Sequence, residues 1–245
     1  MRRYEGKSVI VTGAGQGIGA AYARAFADEG ASVVVADLNG PAAEAVARSI
    51  PGTLPVMVDV ADGVSVERMA ERAAEAFGGI DVLVNNAGLH LGKYNLTSTL
   101  ALEDWRRLFD VNVFGAVLCA RACRPHMSKR GRGVILNQSS SSAYGANGAY
   151  AVSKLALNGI TLSLAQEFSR DKIRVVGIAP GMVASDAVLE RLEEHHKKLV
   201  LDRQLVKRFG ALEDLMGMVL LLCSDEASLI SGETVLVDGG FVRRI

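Results

Sequence analysis

The amino-acid sequence has few aromatic residues and no excess of either charge. Phe, Trp and Tyr together make up 5% of its 245 residues, and 27 Lys and Arg residues balance 27 Asp and Glu residues. A nucleic-acid-binding domain usually carries a basic patch or stripe, so this balance predicts no nucleic-acid partner. Hydrophobic residues nevertheless make up 49% of the chain. That share is enough to bury a substantial core and excludes a disordered chain.

Cysteine is also scarce. Cys119, Cys123 and Cys223 are the only three, and an odd number without paired spacing is typical of reduced thiols in a cytoplasmic protein. Cys119, Cys123 and His126 fall on one face of a predicted helix, but three ligands on one helix without a fourth nearby are poor evidence for zinc. We therefore expect no metal, and we expect these small side chains to serve packing, with a partner subunit as one candidate surface.

Long hydrophobic runs are absent as well. The first apolar segment is short, and Gly13 and Gly15 interrupt the sequence directly after it. Such a segment predicts neither a signal peptide nor a membrane span, so no membrane partner is expected.

The dominant pattern is an alternation of short β-branched runs with Ala-rich helical stretches. Seven runs are predicted to be strands: Ser8–Val11, Ser32–Ala36, Leu54–Val58, Val82–Val84, Val134–Leu136, Arg174–Ile178 and Thr234–Val237. Continuous apolar runs indicate strands that are buried on both faces. The pattern therefore predicts an α/β Rossmann fold with a doubly wound, seven-stranded parallel sheet and helices on both faces. Because no linker or repeat interrupts the rhythm, residues 1–245 are expected to form one domain.

A glycine-rich segment, Thr12–Gly19, follows the first predicted strand and opens a helix. Small residues at such a turn let the backbone approach a pyrophosphate, which the positive end of the helix dipole favours. A tight turn needs glycines whatever it binds, but the strand before it and the helix after it favour a dinucleotide. The residues predicted to contact the cofactor here are Gly13, Gly15, Gln16, Gly17, Ile18 and Gly19.

Asp37 ends the second predicted strand, eighteen residues after Gly19. A carboxylate at that position can accept hydrogen bonds from both adenosine ribose hydroxyls and would repel the 2′-phosphate of NADP, so it predicts NAD as the cofactor. Leu38 is placed in the same part of the site. The alternative role for Asp37 is to cap the turn before Asn39.

Asp59 ends the third predicted strand and Val60 follows it. Asp59 either caps the helix that begins near Asp62 or reaches the adenine amino group, and the sequence favours neither role. Both Asp59 and Val60 are counted among the candidate cofactor-binding residues.

Six motifs occur in order across nearly the whole chain. They are Thr12–Gly19, Asn85–Gly88, Asn112 within Asp110–Val113, Asn137–Ser140, Tyr150–Lys154 and Pro180–Gly181. Together they resemble the short-chain dehydrogenase/reductase family in its standard-length branch. The resemblance implies a homotetrameric oxidoreductase that transfers a hydride between a nicotinamide cofactor and a secondary alcohol or its ketone. It also implies that Asn86, Ala87 and Gly88 lie along the ribose of the cofactor.

Tyr150 and Lys154 are four residues apart in a helical stretch, so their side chains share one face. An unperturbed tyrosine has a pKa of about 10, and a nearby ammonium lowers that pKa by favouring the phenolate. The pair therefore predicts Tyr150 as general acid for ketone reduction and general base for alcohol oxidation, with Lys154 as its partner. Both residues are also counted as cofactor contacts.

The resemblance implies a serine that hydrogen-bonds the substrate oxygen. The family usually places it thirteen residues before the tyrosine, where this chain has Asn137. Alignment on the strand end assigns the role to Ser140 instead, with Ser139 as the alternative. The resemblance also implies that Asn112 holds a water connecting Lys154 with solvent, whereas its alternative role is a backbone hydrogen bond in a helix distortion.

The segment after the sixth predicted strand is expected to face the nicotinamide and the substrate. The resemblance assigns the turn that holds the carboxamide to Pro180, Gly181, Val183 and Ser185. Residues 184–206 interrupt the β-α rhythm and predict a substrate lid. The pocket is expected to be lined by His90, Leu91 and Tyr94, with Tyr144 nearby.

The expected pocket is apolar with few charges, which indicates a hydrophobic or medium-sized secondary alcohol or ketone as substrate. A 3-oxoacyl thioester reductase is the enzymatic alternative, but such reductases resemble NADP users and Asp37 argues against it. The third hypothesis is a non-catalytic protein that senses NAD. Its signature would be a broken catalytic set, whereas all four members of the set are present, namely Asn112, Ser140, Tyr150 and Lys154.

Overall fold

The structure, a computed structural model, describes residues 2–90, 92–183 and 193–243. The strands are β1 (Ser8–Thr12), β2 (Ser32–Asp37), β3 (Thr53–Met57), β4 (Val82–Asn85), β5 (Gly133–Gln138), β6 (Ile173–Pro180) and β7 (Thr234–Val237). The described α-helices are α1 (Gly17–Asp28), α2 (Gly40–Arg48), α3 (Gly63–Phe77), α4 (Leu102–Phe109), α5 (Gly115–Lys129), α6 (Gly148–Phe168), α7 (Glu194–Arg203) and α8 (Leu212–Cys223). Each of the seven predicted strands overlaps an observed one.

All seven strands pair in parallel in one sheet of order β3-β2-β1-β4-β5-β6-β7. The chain builds outward from β1 to β3 and then crosses to the other side of β1, where β4 pairs with it. In sheets of this kind, ligands bind outside the carboxyl ends of the strands at the point where the strand order reverses. The predicted Rossmann fold is confirmed, and its switch point lies between β1 and β4.

The helices cover the sheet on both faces because successive strand residues point to opposite sides. Val9 and Val11 of β1 belong to a core cluster with Phe26 of α1 and Leu222 of α8. Ile10, between them, belongs to the opposite cluster, which α3, α5 and α6 complete. This two-sided burial explains why the strands are continuously apolar rather than alternating.

The three cysteines pack inside the chain. Cys119 and Cys123 lie in the core layer under α5, and Cys223 lies in the opposite layer. All three are buried free thiols, and burial raises the pKa of Cys119 to about 12. The suggestion that Cys119 and Cys123 pack against a partner subunit is therefore wrong, because both thiols are buried between α5 and the sheet of their own chain.

Two further properties bear on function. Within the described ranges, no group of three His, Cys, Asp or Glu side chains is arranged to hold a metal ion. None of the described helices combines the length and the apolar character needed to cross a membrane.

Candidate active site

The predicted site residues gather at the carboxyl edge of the sheet. The glycine-rich segment follows β1, Asp37 ends β2, Asn86–Gly88 follows β4, and Ser140 comes just after β5. Tyr150 and Lys154 lie in the first two turns of α6. Residues from five distant parts of the chain thus meet beside the switch point of the sheet.

The turn between β1 and α1 is packed so tightly that Gly19 has no room for a side chain. A Cβ atom on Gly19 would stand 2.2 Å from the carbonyl oxygen of Gly13 and 2.5 Å from the side-chain nitrogen of Asn86. Asn86 holds the same turn, because its Nδ2 donates to the carbonyl oxygens of Thr12 (2.9 Å) and Gly13 (3.1 Å). The Asn86 amide therefore supports the loop from below.

The N-terminus of α1 has the features that a pyrophosphate requires. Its N-cap residue, Gln16, makes no side-chain capping hydrogen bond, and the first turn contains no acidic residue. Gly17 adopts a φ of +56°, and no described atom lies within 4 Å of the position where its Cβ would stand. The backbone N–H groups at the start of α1 therefore lack a side-chain cap and face open space. This arrangement is suited to binding an anion.

Asp37 supports the same turn. One carboxylate oxygen accepts from the Gly15 backbone N–H (2.8 Å), and the other accepts from the Asn39 N–H (2.9 Å). Each carboxylate oxygen has two acceptor positions, so capping the turn leaves capacity for ribose hydroxyls. The two roles considered for Asp37 are therefore compatible, and Leu38 beside it is exposed.

Asp59 does not cap α3. The N-cap of that helix is Asp62, whose side chain accepts from the Val64 N–H (3.0 Å). Asp59 instead accepts from the Ala61 N–H (2.9 Å) in the loop before the helix and is exposed. The prediction that Asp59 could cap α3 is thus wrong, because Asp62 occupies the N-cap position. Val60, next to Asp59, is buried.

Asn137, which stands where the family's serine usually occurs, is part of the buried core. Its Oδ1 accepts from Asn85 Nδ2 (2.9 Å), and its Nδ2 donates to Thr161 Oγ1 (2.9 Å). Both ends of the amide are therefore used between β4, β5 and α6, and the side chain is fully buried.

The two serines after β5 have different surroundings. Ser139 is buried, and its hydroxyl lies 2.6 Å from Asn158 Oδ1 in α6. Ser140 is half-buried, its hydroxyl is close enough to the Tyr150 side chain to lower the pKa of the phenol, and it accepts from the Ser142 N–H (3.2 Å). Ser140 is thus the serine that faces the predicted general acid/base, and Ser139 supports the strand end.

The ionisation of Tyr150 is governed by burial. Burial raises the pKa of the phenol, and the hydrogen bond with Ser140 offsets only part of this effect. The prediction that Lys154 lowers the pKa of Tyr150 is wrong for this arrangement. The ammonium lies 5.8 Å from the centroid of the tyrosine ring and donates to the carbonyl oxygen of Gln138 (2.7 Å). Burial also lowers the pKa of Lys154, to about 8.

Asn112 lies in a π-helical turn, Asp110–Phe114, that joins α4 to α5. The Gly115 N–H donates to the carbonyl oxygen of Asp110, five residues earlier. Asn112 therefore lies in a helix distortion, the setting of the alternative role considered for it, and such distortions often mark functional sites.

The Asn112 side chain connects the loop after β4 with α6. Its Oδ1 accepts from the Leu89 N–H (2.7 Å), and its Nδ2 donates to the Leu89 carbonyl (3.0 Å) and to Ser153 Oγ (3.0 Å). Ser153 Oγ in turn donates to the Tyr150 carbonyl (2.7 Å). Sequence reasoning missed Ser153, and the available signal was its place inside the Tyr150–Lys154 motif.

The segment after β6 is held by the C-terminal part of the chain. The Gly181 N–H donates to the carbonyl of Val237 (2.9 Å), and Val183 forms a bridge with Gly210. Pro180 ends β6. Ser185 and residues 184–192 of the predicted lid lie outside the described residues.

The loop after β4 forms one wall of the site. Tyr94 is buried in a small cluster that includes Leu89 and Tyr150. Burial and, to a lesser extent, the charge of Lys154 lower the pKa of His90, so its imidazole is neutral at pH 7. Tyr144, also predicted to lie near the pocket, donates to the carbonyl of Thr234 (3.4 Å). Leu91 lies outside the described residues.

The sequence matches one family model over most of its length. The model is described as enoyl-(acyl carrier protein) reductase and matches residues 13–242. An uncharacterized oxidoreductase of Mycobacterium tuberculosis is 46% identical over 246 residues, which cover 98% of this chain and 99% of the relative. Meso-2,3-butanediol dehydrogenase of Serratia marcescens is 37% identical over 243 residues, covering 97% and 95%.

A solved structure shares both the fold and part of the sequence. It is a 7α-hydroxysteroid dehydrogenase complexed with NADH and 7-oxo glycochenodeoxycholic acid. The TM-score is 0.92 at 35% identity, with 99% of this chain and 97% of that chain covered. The similarity therefore extends over the whole domain, including every element that carries a predicted site residue.

Proposed function

The chain belongs to the short-chain dehydrogenase/reductase family of oxidoreductases, and from that premise we propose that it is an NAD(H)-dependent enzyme that interconverts a secondary alcohol and its ketone. The observation that carries the proposal is the group formed by Ser140, Tyr150 and Lys154 beside the uncapped N-terminus of α1. A binding protein that only sensed the cofactor would have no use for a buried phenol paired with a hydroxyl and an ammonium.

Tyr150 is the proposed proton donor and acceptor. In ketone reduction the phenol donates its proton to the carbonyl oxygen, and in alcohol oxidation the phenolate accepts the hydroxyl proton. Ser140, whose hydroxyl lies near the Tyr150 phenol, would donate to the same substrate oxygen and stabilise the charge that develops there. The ammonium of Lys154, held by the Gln138 carbonyl and close to Gly88, would instead bind the hydroxyls of the nicotinamide ribose.

The chain of contacts behind Tyr150 serves to position it. Asn112 and Ser153 join the backbone of Leu89 to that of Tyr150. Because the side-chain atoms of Asn112 are occupied by these contacts, we propose that a water on the path from Lys154 to solvent binds a backbone carbonyl of the π-helical turn.

The residues at the carboxyl edge fit a dinucleotide. The N-terminus of α1, with Gln16, Gly17 and Ile18, would hold the pyrophosphate, and Gly88, beside Lys154, would lie along the nicotinamide ribose. The segment Pro180–Val183, with Ser185, would hold the carboxamide. Bound NAD would accept the hydride from the alcohol carbon, and NADH would return it to the ketone.

Asp37 is the proposed determinant of cofactor choice. A negative charge beside the ribose would repel the 2′-phosphate of NADP by about 1–4 kcal/mol for unit charges roughly 4 Å apart. We therefore expect kcat/KM with NAD(H) to exceed that with NADP(H) by about tenfold or more.

This expectation is tested by a screen of secondary alcohols and ketones with both cofactors. Asp37→Asn, which keeps the shape but removes the charge, is expected to narrow the preference. Asp62→Asn is the matched control, because Asp62 caps α3 outside the proposed site, and it should leave the preference unchanged. A wild-type enzyme that prefers NADP(H) would contradict the proposal and favour the alternative, a 3-oxoacyl thioester reductase. The screen therefore also includes 3-oxoacyl thioesters of acyl carrier protein.

Ser140→Ala is expected to lower kcat/KM by about 10²–10³, as expected for removal of one donor to the reacting oxygen. Ser139→Ala should retain catalysis within a few-fold and lower the free energy of unfolding by about 1 kcal/mol, because Ser139 contacts Asn158 instead of the substrate. Steady-state kinetics and thermal unfolding of the two variants, compared side by side, test this. Loss of activity in Ser139→Ala with Ser140→Ala active would reverse the assignment.

The proposed substrate is apolar or medium-sized. The wall formed by Leu89 and Tyr94 is apolar, and His90, neutral at pH 7, offers one polar contact without a charge. We propose that residues 184–206 cover the substrate. The end of this segment is anchored by buried Gln204, whose Nε2 donates to the Asp238 carbonyl (3.0 Å).

We further propose a cytoplasmic homotetramer. Large apolar side chains are exposed on and next to α4–α6, where a monomer would leave them in water: Leu102, Phe114, Leu155 and Leu162. The three free cysteines are consistent with a reducing compartment.

A further inference from the structure

A cavity opens at the amino-terminal edge of the sheet, opposite the edge that carries Tyr150. It lies between the residues that precede or begin β1, β4, β5 and β6 and the segment after α8. Its volume is about 510 Å³, which is within the range of sites for small molecules. No residue of the proposed active site lines it.

The lining carries more positive than negative charge. Four basic side chains contribute, Lys7, Arg132, Lys172 and Arg174, against two acidic ones, Asp81 and Asp225, which is an excess of two. The whole chain has a net charge of +0, so the excess is local to this cavity.

Both acidic side chains already have partners. Asp81 accepts from the Ser8 N–H (2.9 Å) and from the guanidinium of Arg130 (2.8 Å), which adds a further positive charge nearby. Asp225 pairs with Lys7 (3.0 Å) and lies 3.3 Å from Arg132. Both carboxylates are therefore in direct contact with other cations, and neither forms an ion pair with Arg174 or Lys172.

Arg174 is a half-buried cation of the lining that forms no direct ion pair with a described residue. Its guanidinium donates to the carbonyl oxygens of Ile230 (3.0 Å) and Ser224 (2.8 Å), and no carboxylate within the described ranges lies within 4 Å of it. Burial lowers the pKa of Arg174, and the charge of Asp225 offsets part of this effect from a longer distance. Lys172, on the rim, forms no ion pair with any described residue. A half-buried guanidinium held only by carbonyl oxygens is well suited to a carboxylate or phosphate.

The floor of the cavity is apolar. It is formed by side chains from three strands and α6: Val82, Val134, Ala165 and Ile173. Burial of an alkyl group there gains about 0.8 kcal/mol for each CH₂. A ligand that satisfies both parts of the lining has an anionic head and an apolar body.

We propose that this cavity binds a small organic anion, with a carboxylate or phosphate head near Arg174 and Lys172 and a short alkyl body on the apolar floor. The site is separate from the proposed active site and does not depend on its chemistry. A ligand there would bridge the starts of β5 and β6 to the segment that follows α8.

The test is isothermal titration calorimetry of the full-length protein with octanoate, octyl phosphate and the neutral octan-1-ol. One anion is expected to bind with one site per chain, at least about tenfold more tightly than the alcohol, and more weakly at high salt. Whichever anion binds more tightly identifies the head group.

Charge reversal on the rim distinguishes this site from others. Lys172→Glu and Arg132→Glu change exposed side chains and are expected to weaken anion binding about tenfold or more. Arg72→Glu makes the same change in net charge on the exposed surface of α3 and should leave binding within twofold. Arg174 itself is left intact, because its hydrogen bonds hold the segment after α8.

Several outcomes would overturn the proposal. These are no detectable binding of either anion at several millimolar, equal binding of octan-1-ol, or equal binding to Lys172→Glu and the wild type. Competition of octanoate by NADH would also overturn it, since the anion would then occupy the active site. Tyr150→Phe should bind octanoate like the wild type, so loss of catalysis leaves this test unaffected.

Discussion

Tyr150→Phe is expected to lower kcat for the preferred secondary alcohol or ketone by about 10²–10⁴, the usual contribution of a positioned general acid or base. The substitution removes only the phenolic oxygen and keeps the ring, which packs in the cluster with Leu89 and Tyr94. Folding and binding of NADH are therefore expected to change little, so the loss should be confined to the chemical step.

Steady-state kinetics in both directions, with NADH binding followed by fluorescence, measure this result. Tyr4→Phe is the matched control, because it removes a phenolic oxygen that donates to the carbonyl of Leu220 in the core, remote from the site. That variant should lose some stability and keep kcat within about twofold. A Tyr150→Phe enzyme with undiminished kcat would rule out the proposed proton transfer.

The pH dependence follows from the direction of the Tyr150 pKa. Oxidation requires the phenolate, and burial raises the pKa of the phenol, so the oxidation rate should rise through the alkaline range. Reduction requires the neutral phenol, so its rate should be level near neutral pH and fall at high pH. Both dependences should disappear in the residual activity of Tyr150→Phe.

Gly19→Ala is expected to raise the dissociation constant for NADH by about tenfold or more and to destabilise the fold by about 1–3 kcal/mol. The added Cβ would stand 2.2 Å from the carbonyl oxygen of Gly13. Since the obstruction is backbone instead of a flexible side chain, the turn that leads into α1 has to move. The N–H groups at the start of the helix would then no longer face a pyrophosphate.

Gly217→Ala is the matched control for Gly19→Ala. Gly217 lies within α8, and no described atom approaches within 4 Å of its Cβ position. Alanine should therefore be neutral or stabilising by up to about 1 kcal/mol through helix propensity. Equilibrium binding of NADH and thermal unfolding of the two variants test this prediction. Wild-type NADH affinity in Gly19→Ala would contradict the proposal that the N-terminus of α1 holds the pyrophosphate.

Much of the fold could be predicted because its signals are local. A strand such as Val33–Val35 is buried on both faces, and its continuous β-branched run is visible without any knowledge of its neighbours. The glycine-rich segment after β1 likewise reflects a turn formed by adjacent residues. The break at Asn112 was less accessible, since a π-helical turn inserts one residue into a helix without a composition signal.

The sequence indicated which residues come after the strands at the carboxyl edge of the sheet, but it did not show the contacts that some of their side chains make. Asp59 and Asp62 are both acidic residues ahead of α3, and only the backbone positions showed that Asp62 caps it. The pKa of Tyr150 was predicted in the wrong direction, because desolvation depends on the atoms that surround the ring and the sequence does not show them.

The sequence by itself determined the order of strands and helices, the turn after β1, and the pairing of Tyr150 with Lys154 on one helical face. These follow from residue periodicity and from neighbours within one or two turns. Only the tertiary structure decided which serine faces Tyr150, because Ser139 and Ser140 differ by one position and point in different directions at the end of β5. It also brought Lys7 and Arg132 to the cavity that Arg174 lines at the opposite edge of the sheet. Charges that meet there come from segments far apart in the chain, and their balance is a property of the folded molecule alone.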